Sequence, residues 1–143
     1  MKEYYNNTYD FSVKYPESWK YNEELCDVEV WFYNDNNDET EFKSTVNMMV
    51  IPNRNGNSLR QIMNKTKHDI KSILKNVSIS EYHIFNDNEG ILTYQGENND
   101  KLLFEQRIFL KNKDIYCFTG CVSEQKKSEF YGEIKAILNS IKI

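Results

Sequence analysis

The chain has 143 residues, 39% of them hydrophobic and 14% aromatic, with a formal net charge of −4 from 22 acidic and 18 basic side chains. That length suits one domain spanning residues 1–143, with a core that needs no staples, because a chain near 150 residues buries roughly 70% of its unfolded surface. No basic stripe interleaves with aromatics, which disfavours nucleic acid and an anionic membrane surface as partners, and no apolar run approaches the ~20 residues of a membrane span.

The first predicted strand, residues 10–15, alternates Phe11, Val13 and Tyr15 with Ser12 and Lys14, and Pro16 closes it. Trp19 follows three residues later. It reads as a plug folded back over the end of the core or as a ligand platform, and the plug is preferred because a large aromatic buries about 150–250 Å2. The second strand, 27–34, sends Val28, Val30 and Phe32 one way and Glu29, Trp31 and Tyr33 the other. An acidic loop over 34–41 holds Asp35, Asp38, Glu39 and Glu41. The third strand, 44–51, is apolar on both faces in its second half, the pattern of a strand covered on both sides. A turn cluster over 52–57 leads to Ser58, which caps a helix with Gln61 closing a capping box. Leu59, Ile62, Met63, Thr66, Ile70, Ile73 and Leu74 recur at helical spacing, which predicts a helix over about 58–76.

The fourth strand, 77–85, changes phase near Ser80 and Glu81, which predicts a bulge. Turns over 86–90, 97–100 and 111–114 separate it from strands over 91–96, 102–110 and 115–122. Ser123 is the expected cap of a closing helix over 123–140, whose stripe is Phe130, Ile134, Ile137, Leu138 and Ile141. The order predicts an α+β fold: an antiparallel sheet of six to seven strands flanked by two main helices, an αβα sandwich with the last four strands in a meander. Phe11, Trp19, Trp31, Phe118 and Phe130 are its expected structural core.

The opening "DFSVKYPESW", a strand followed by Pro-x-x-Trp, and the closing "FYGEIKAILNSIKI" resemble the PsbP-like family in its small bacterial form, PsbP-related or DcrB-type domains. The order of strands and helices between them agrees along the chain. The resemblance implies a PsbP-like α+β sandwich and a non-catalytic protein-binding or adaptor scaffold. Bacterial members are often lipoproteins. The family's Gly before the first Phe is Asp10 here, and no histidine near the N-terminus could carry over a metal site.

Candidate chemistry is sparse, and no enzyme, cofactor or metal site is expected. Cys117 and Cys121 lie about 13 Å apart on one strand, too far for a disulfide; Cys26 paired with one of them is the alternative, and three free thiols in a reducing compartment are the expectation. Neither C-x-x-C nor H-x3–5-H spacing occurs, and His68 and His83 fall on different elements. Asp35, Asn37, Glu39 and Glu41 alternate as calcium ligands do, but the sharp-turn Gly is absent. Glu105 and Arg107 on one strand read as a surface ion pair. Two binding functions remain: a module that holds an unidentified protein partner, with the acidic loop as candidate surface, or a carrier of a small apolar ligand or lipid lined by Met48, Met49, Met63, Trp31 and Tyr94. The N-terminal residues show no export signal, so the chain reads as cytoplasmic, or as extracytoplasmic if a signal or lipobox preceded it.

Overall fold

Alternating side chains become strands wherever one face can be buried. The computed structural model describes residues 1–34 and 44–143, and the four acids of the candidate loop, Asp35, Asp38, Glu39 and Glu41, lie outside the described residues. In chain order the elements are β1 (Lys2–Asn6), β2 (Phe11–Tyr15), β3 (Trp19–Asn22), β4 (Val30–Asn34), β5 (Thr45–Pro52), α1 (Leu59–Ile73), β6 (Lys75–Asn86), β7 (Glu89–Asn98), β8 (Asp100–Lys111), β9 (Asp114–Ser123) and α2 (Lys127–Asn139). Seven strands form one antiparallel sheet in the order β3-β4-β5-β9-β8-β7-β6, and β1 and β2 form a separate hairpin. This is the expected α+β sandwich, with β6 to β9 as the meander.

α1 begins as the capping box predicts. The Ser58 hydroxyl accepts from the Gln61 amide, and the Gln61 side chain accepts from the Ser58 amide. The phase break of β6 is also present, as a register shift between Ile79 and Glu81 against β7. α2 departs from expectation. Ser123 makes no capping hydrogen bond and precedes a single 3-10 turn, Glu124–Lys126, so the α-helix starts only at Lys127. Trp19 opens an edge strand instead of standing in a turn. β3 pairs with β4, Trp19 opposite Asn34, and the indole points inward at 1% exposure.

The helices take opposite faces and different halves of the sheet. α1 packs on β6 and β7, whereas α2 packs on β9 and β5 and against β2 of the hairpin. Two cores result. One joins Phe11, Trp19, Phe32, Met48, Phe118, Phe130 and Ile134 under α2 and the hairpin. The other joins Leu59, Met63, Ile70, Leu92, Tyr94 and Ile108 under α1. Trp31 belongs to neither. Strand alternation turns it away from its buried neighbours Val30 and Phe32, and it lies half-buried, stacked on Tyr33 with ring centroids 4.4 Å apart.

Gly120 on β9 makes the close seat of α2 possible. A β-carbon there would stand 2.4 Å from Ile134 Cγ2, well inside van der Waals contact. The missing side chain lets the helix settle onto the centre of the sheet.

Candidate functional site

Glu105 sits beside that seat. It occupies the middle of β8, opposite Gly120 on one side and Thr93 on the other, and its side chain is fully enclosed at 0% exposure. The expected surface pair with Arg107 is therefore a buried one. Residues 103, 105, 107 and 109 of β8 share the face that α2 covers, and helix residues spaced four apart hang over it. Lys135 Nζ lies 3.1 Å from Glu105 Oε1, and the Tyr131 hydroxyl donates to the same oxygen at 3.3 Å. Arg107 Nη2 donates to Glu105 Oε2 at 3.3 Å and to Asn139 Oδ1 at 2.6 Å. A buried carboxylate is tolerable only when donors surround it, and here three side chains do so.

The same environment restricts what these groups can do. Burial, followed by the charge of Glu105, pushes the Tyr131 phenol above its ordinary range. Burial alone would lower Lys135, but its hydrogen bond to Glu105 and that group's charge outweigh the loss of water and raise it. Both keep their protons at neutral pH, so neither is poised as a base or nucleophile. The arrangement ties α2 to the sheet and leaves two buried polar atoms over. Arg107 Nε and Thr93 Oγ1 have no hydrogen-bond partner.

α2 reaches only as far as β8; on the same face Ile91 and Thr93 of β7 stay buried, and exposure begins at Gln95 and along the edge strand β6. Tyr82 and Ile84 of β6 turn into the α1 core, and alternation turns Glu81, His83 and Phe85 to the α2 side. Phe85 is 52% exposed, with the His83 ring edge-on at 4.6 Å. Towards the start of α2 this surface deepens into a cleft of about 330 Å3 whose lining includes Asn76, Ser78, Gln95, Lys101, Leu103 and Lys127.

The remaining candidates do not converge. Among the described residues, no three His, Cys, Asp or Glu side chains come together to hold a metal ion. Cys26 is exposed, Cys117 half-buried and Cys121 buried, and all three are free. Burial pushes the Cys121 thiol up to about 12, and the Cys117 thiol upward as well. Met48, Met63 and Tyr94 are buried core residues, split between the two clusters. No helix among the described residues is long and apolar enough to cross a membrane. Sequence reasoning passed over the Glu105 cluster, although its signal is present. An acid shares strand parity with Leu103 and Phe109, and Tyr131, Lys135 and Asn139 recur four apart on the closing helix.

Comparison with solved structures gives the same architecture at low identity. The chain is similar to the cyanobacterial PsbP protein CyanoP of Synechocystis, at 14% identity and a TM-score of 0.61, covering 99% of this chain and 91% of that one. It is similar to LpqN of Mycobacterium tuberculosis, a protein involved in cell envelope biogenesis, at 7% identity and a TM-score of 0.68, covering 93% and 82%. PA94 of Pseudomonas aeruginosa, a protein of unknown function, matches at 10% identity and a TM-score of 0.66, covering 98% and 94%. No curated protein sequence matches this one. The family described as PsbP-like protein matches residues 1–143, the whole chain. With its sheet order, flanking helices and Trp-led edge strand in place, the chain belongs to the PsbP-like protein family.

Proposed function

We propose that this chain is a non-catalytic protein-binding module, and that its partner rests on the α2 side of the edge strand β6. One observation carries the reading: the offset of the two helices leaves the α2 side of the edge strand β6 exposed, where Phe85 stands 52% exposed next to His83 and Glu81. An exposed aromatic on a rigid sheet, bordered by charged and polar groups, is the composition of an interface centre. The raised phenol, ammonium and thiols described above support the non-catalytic part of the reading, because none of them is activated at neutral pH. Cell envelope biogenesis, stated for the similar LpqN, supports an extracytoplasmic setting for this chain.

The test is affinity capture from the native host with the wild-type chain, Phe85→Ser and Ile73→Ser. Ile73 is exposed on α1, away from the proposed surface. The module reading expects a partner recovered by the wild type and by Ile73→Ser but lost with Phe85→Ser. Identical recovery by all three overturns the assigned surface. Organic extraction of the purified protein belongs in the same experiment, and a stoichiometric lipid would replace this reading with that of an apolar-ligand carrier.

A further inference from the structure

We infer that the free edge of β6 takes an extended acidic segment of the partner protein as an added strand, with the basic flank of α1 holding its carboxylates. The inference deepens the module reading and rests on it for its biological ligand. Edge, flank and register carry it.

The edge is long and bare. β6 ends the strand order and pairs only with β7, so alternate residues along it turn their backbone N–H and C=O groups outward with no strand to receive them. It runs for 12 residues, whereas β3 at the opposite edge has 4. Register shifts between Ile79 and Glu81 and between Ile84 and Asn86 interrupt it, and residues 81–84 form the regular run between them. Such interruptions discourage long edge-to-edge pairing, and the run they leave suits a short extended segment.

The flank supplies charge. Residues 60, 64, 67 and 71 recur at helical spacing, so Arg60, Asn64, Lys67 and Lys71 line one flank of α1. Tyr82 fixes which flank this is. Its hydroxyl donates to Asn64 Oδ1 at 2.8 Å, and Lys67 Nζ stands 5.1 Å from its ring centroid. The stripe therefore runs beside β6, the outermost strand. Arg60 and Lys71 are exposed and Lys67 is half-buried, and among the described residues none of the three forms an ion pair. The acids of this region are engaged or turned away. Asp69 binds Lys65 at 2.9 Å on the other flank of α1, Glu97 accepts from Asn76, and Asp87 sits in the turn beyond β6. Glu81 lies on the α2 side with His83 and Phe85. Val77, Ile79, Tyr82 and Ile84, the residues that β6 turns towards α1, carry no charge. Three cations thus overlook an added strand on this side.

Register selects the occupant. Side chains of an added strand alternate between the two faces. Acids at alternate positions meet the stripe of Arg60, Lys67 and Lys71. The residues between them meet Phe85 and His83, so they are apolar and set no carboxylate against Glu81. A second copy of this chain fits worse. Two β6 strands related by a two-fold axis keep like faces together, which would bring the two basic stripes side by side.

The probe is a blocked hexapeptide of alternating Glu and Val, titrated at low and at moderate salt into the full 15N-labelled chain. Amide resonances of β6 and of the α1 flank should move saturably, and β6 amides should gain protection from hydrogen exchange. Salt should weaken binding. The same peptide with Lys in place of Glu should not bind. Lys71→Gln should weaken the acidic peptide about threefold, the worth of one exposed charge pair, and the double variant Lys67→Glu, Lys71→Glu about tenfold. Two further peptides, N-methylated on the Glu amides or on the Val amides, separate strand addition from charge attraction, because an added strand offers β6 only alternate amides. At least one of them should fail to bind. Strand addition is overturned by shifts that never saturate or that lie outside β6 and α1, by equal binding of the Lys peptide, by an unchanged affinity in the double variant, or by both methylated peptides binding as tightly as the parent. Shifts of β6 that follow protein concentration without peptide would assign the edge to a second copy and overturn it too. Peptide saturation with no partner in the capture experiment would count against the module alone, and partner recovery without peptide saturation against strand addition alone.

Discussion

The indole of Trp19 is enclosed on its faces and tethered at its edge, where Nε1–H donates to Glu133 Oε2 of α2 at 3.0 Å. A ring held in this way offers no face to a ligand, so its contribution is to stability. Trp19→Ala should lower stability by about 3–5 kcal/mol, read as a lower denaturant midpoint with an unchanged slope. An unchanged midpoint would show that the ring does not support the core. Glu105 gives the complementary case. Its removal strands Arg107 and Lys135 against one another beneath α2, and breaking such a buried group typically costs about 3–5 kcal/mol. Lys135→Met should cost about 1 kcal/mol or less, because that side chain is half in water. Chemical denaturation of both variants checks the ordering, and equal losses would mean that the cluster behaves as an ordinary surface ion pair.

At the level of elements, α2 stays where it is because Gly120 has nothing to push it away. Gly120→Ala forces a methyl group against Ile134 and should cost about 1–3 kcal/mol, as overpacked cores do. It should also broaden resonances along α2 in NMR, and a variant as stable as the parent would show that the helix can shift without cost. The same element shows what the sequence discloses and what it hides. α1 was legible because Ser58 and Gln61 state the cap locally and its apolar residues repeat at helical spacing. The β6 bulge was legible because it changes the parity of alternation. β1 and β3 were not legible. Their five and four residues bury only Tyr4, Asn6 and Trp19, too few to establish a period, and pairing with β2 and β4 is what makes them strands. The Glu105 site was hidden for a related reason. Its members lie 26 and 30 residues apart between β8 and α2, and only the register of helix on sheet brings them together.

For the molecule as a whole, proton linkage sets an alkaline limit. Burial raises Tyr94, Tyr131, Tyr116, Cys117 and Cys121 in the folded chain. Unfolded thiols and phenols lose their protons near about 8.5 and 10. Above those values the unfolded chain holds fewer protons than the folded one, so stability falls as pH rises. The contribution is fully present below about pH 8 and is lost progressively from about pH 9 towards 12. Denaturant midpoints measured from pH 7 to 11 should be flat and then decline. A midpoint that rises with pH would reverse the sign assigned to these groups.

The two cores also differ in how much chain must exist before they can close. The one beneath α1 draws its members from residues 59–117, a contiguous stretch joined by short turns. The one beneath α2 draws its members from Tyr4 to Leu138, and the backbone hydrogen bonds between Ser12 and Lys142 fasten those distant segments together. Closing a long loop costs entropy before its contacts return anything. The meander with α1 is therefore expected to nucleate, with the hairpin, β3, β4 and α2 condensing later. Core substitutions such as Leu92→Ala should slow refolding, whereas Phe11→Ala should mainly speed unfolding. During synthesis on a ribosome β1 to β5 can pair with their neighbours, but their apolar face stays bare until β9 and α2 have been made, which makes the aromatic N-terminal third the part of this chain most exposed to misassociation while it is being made.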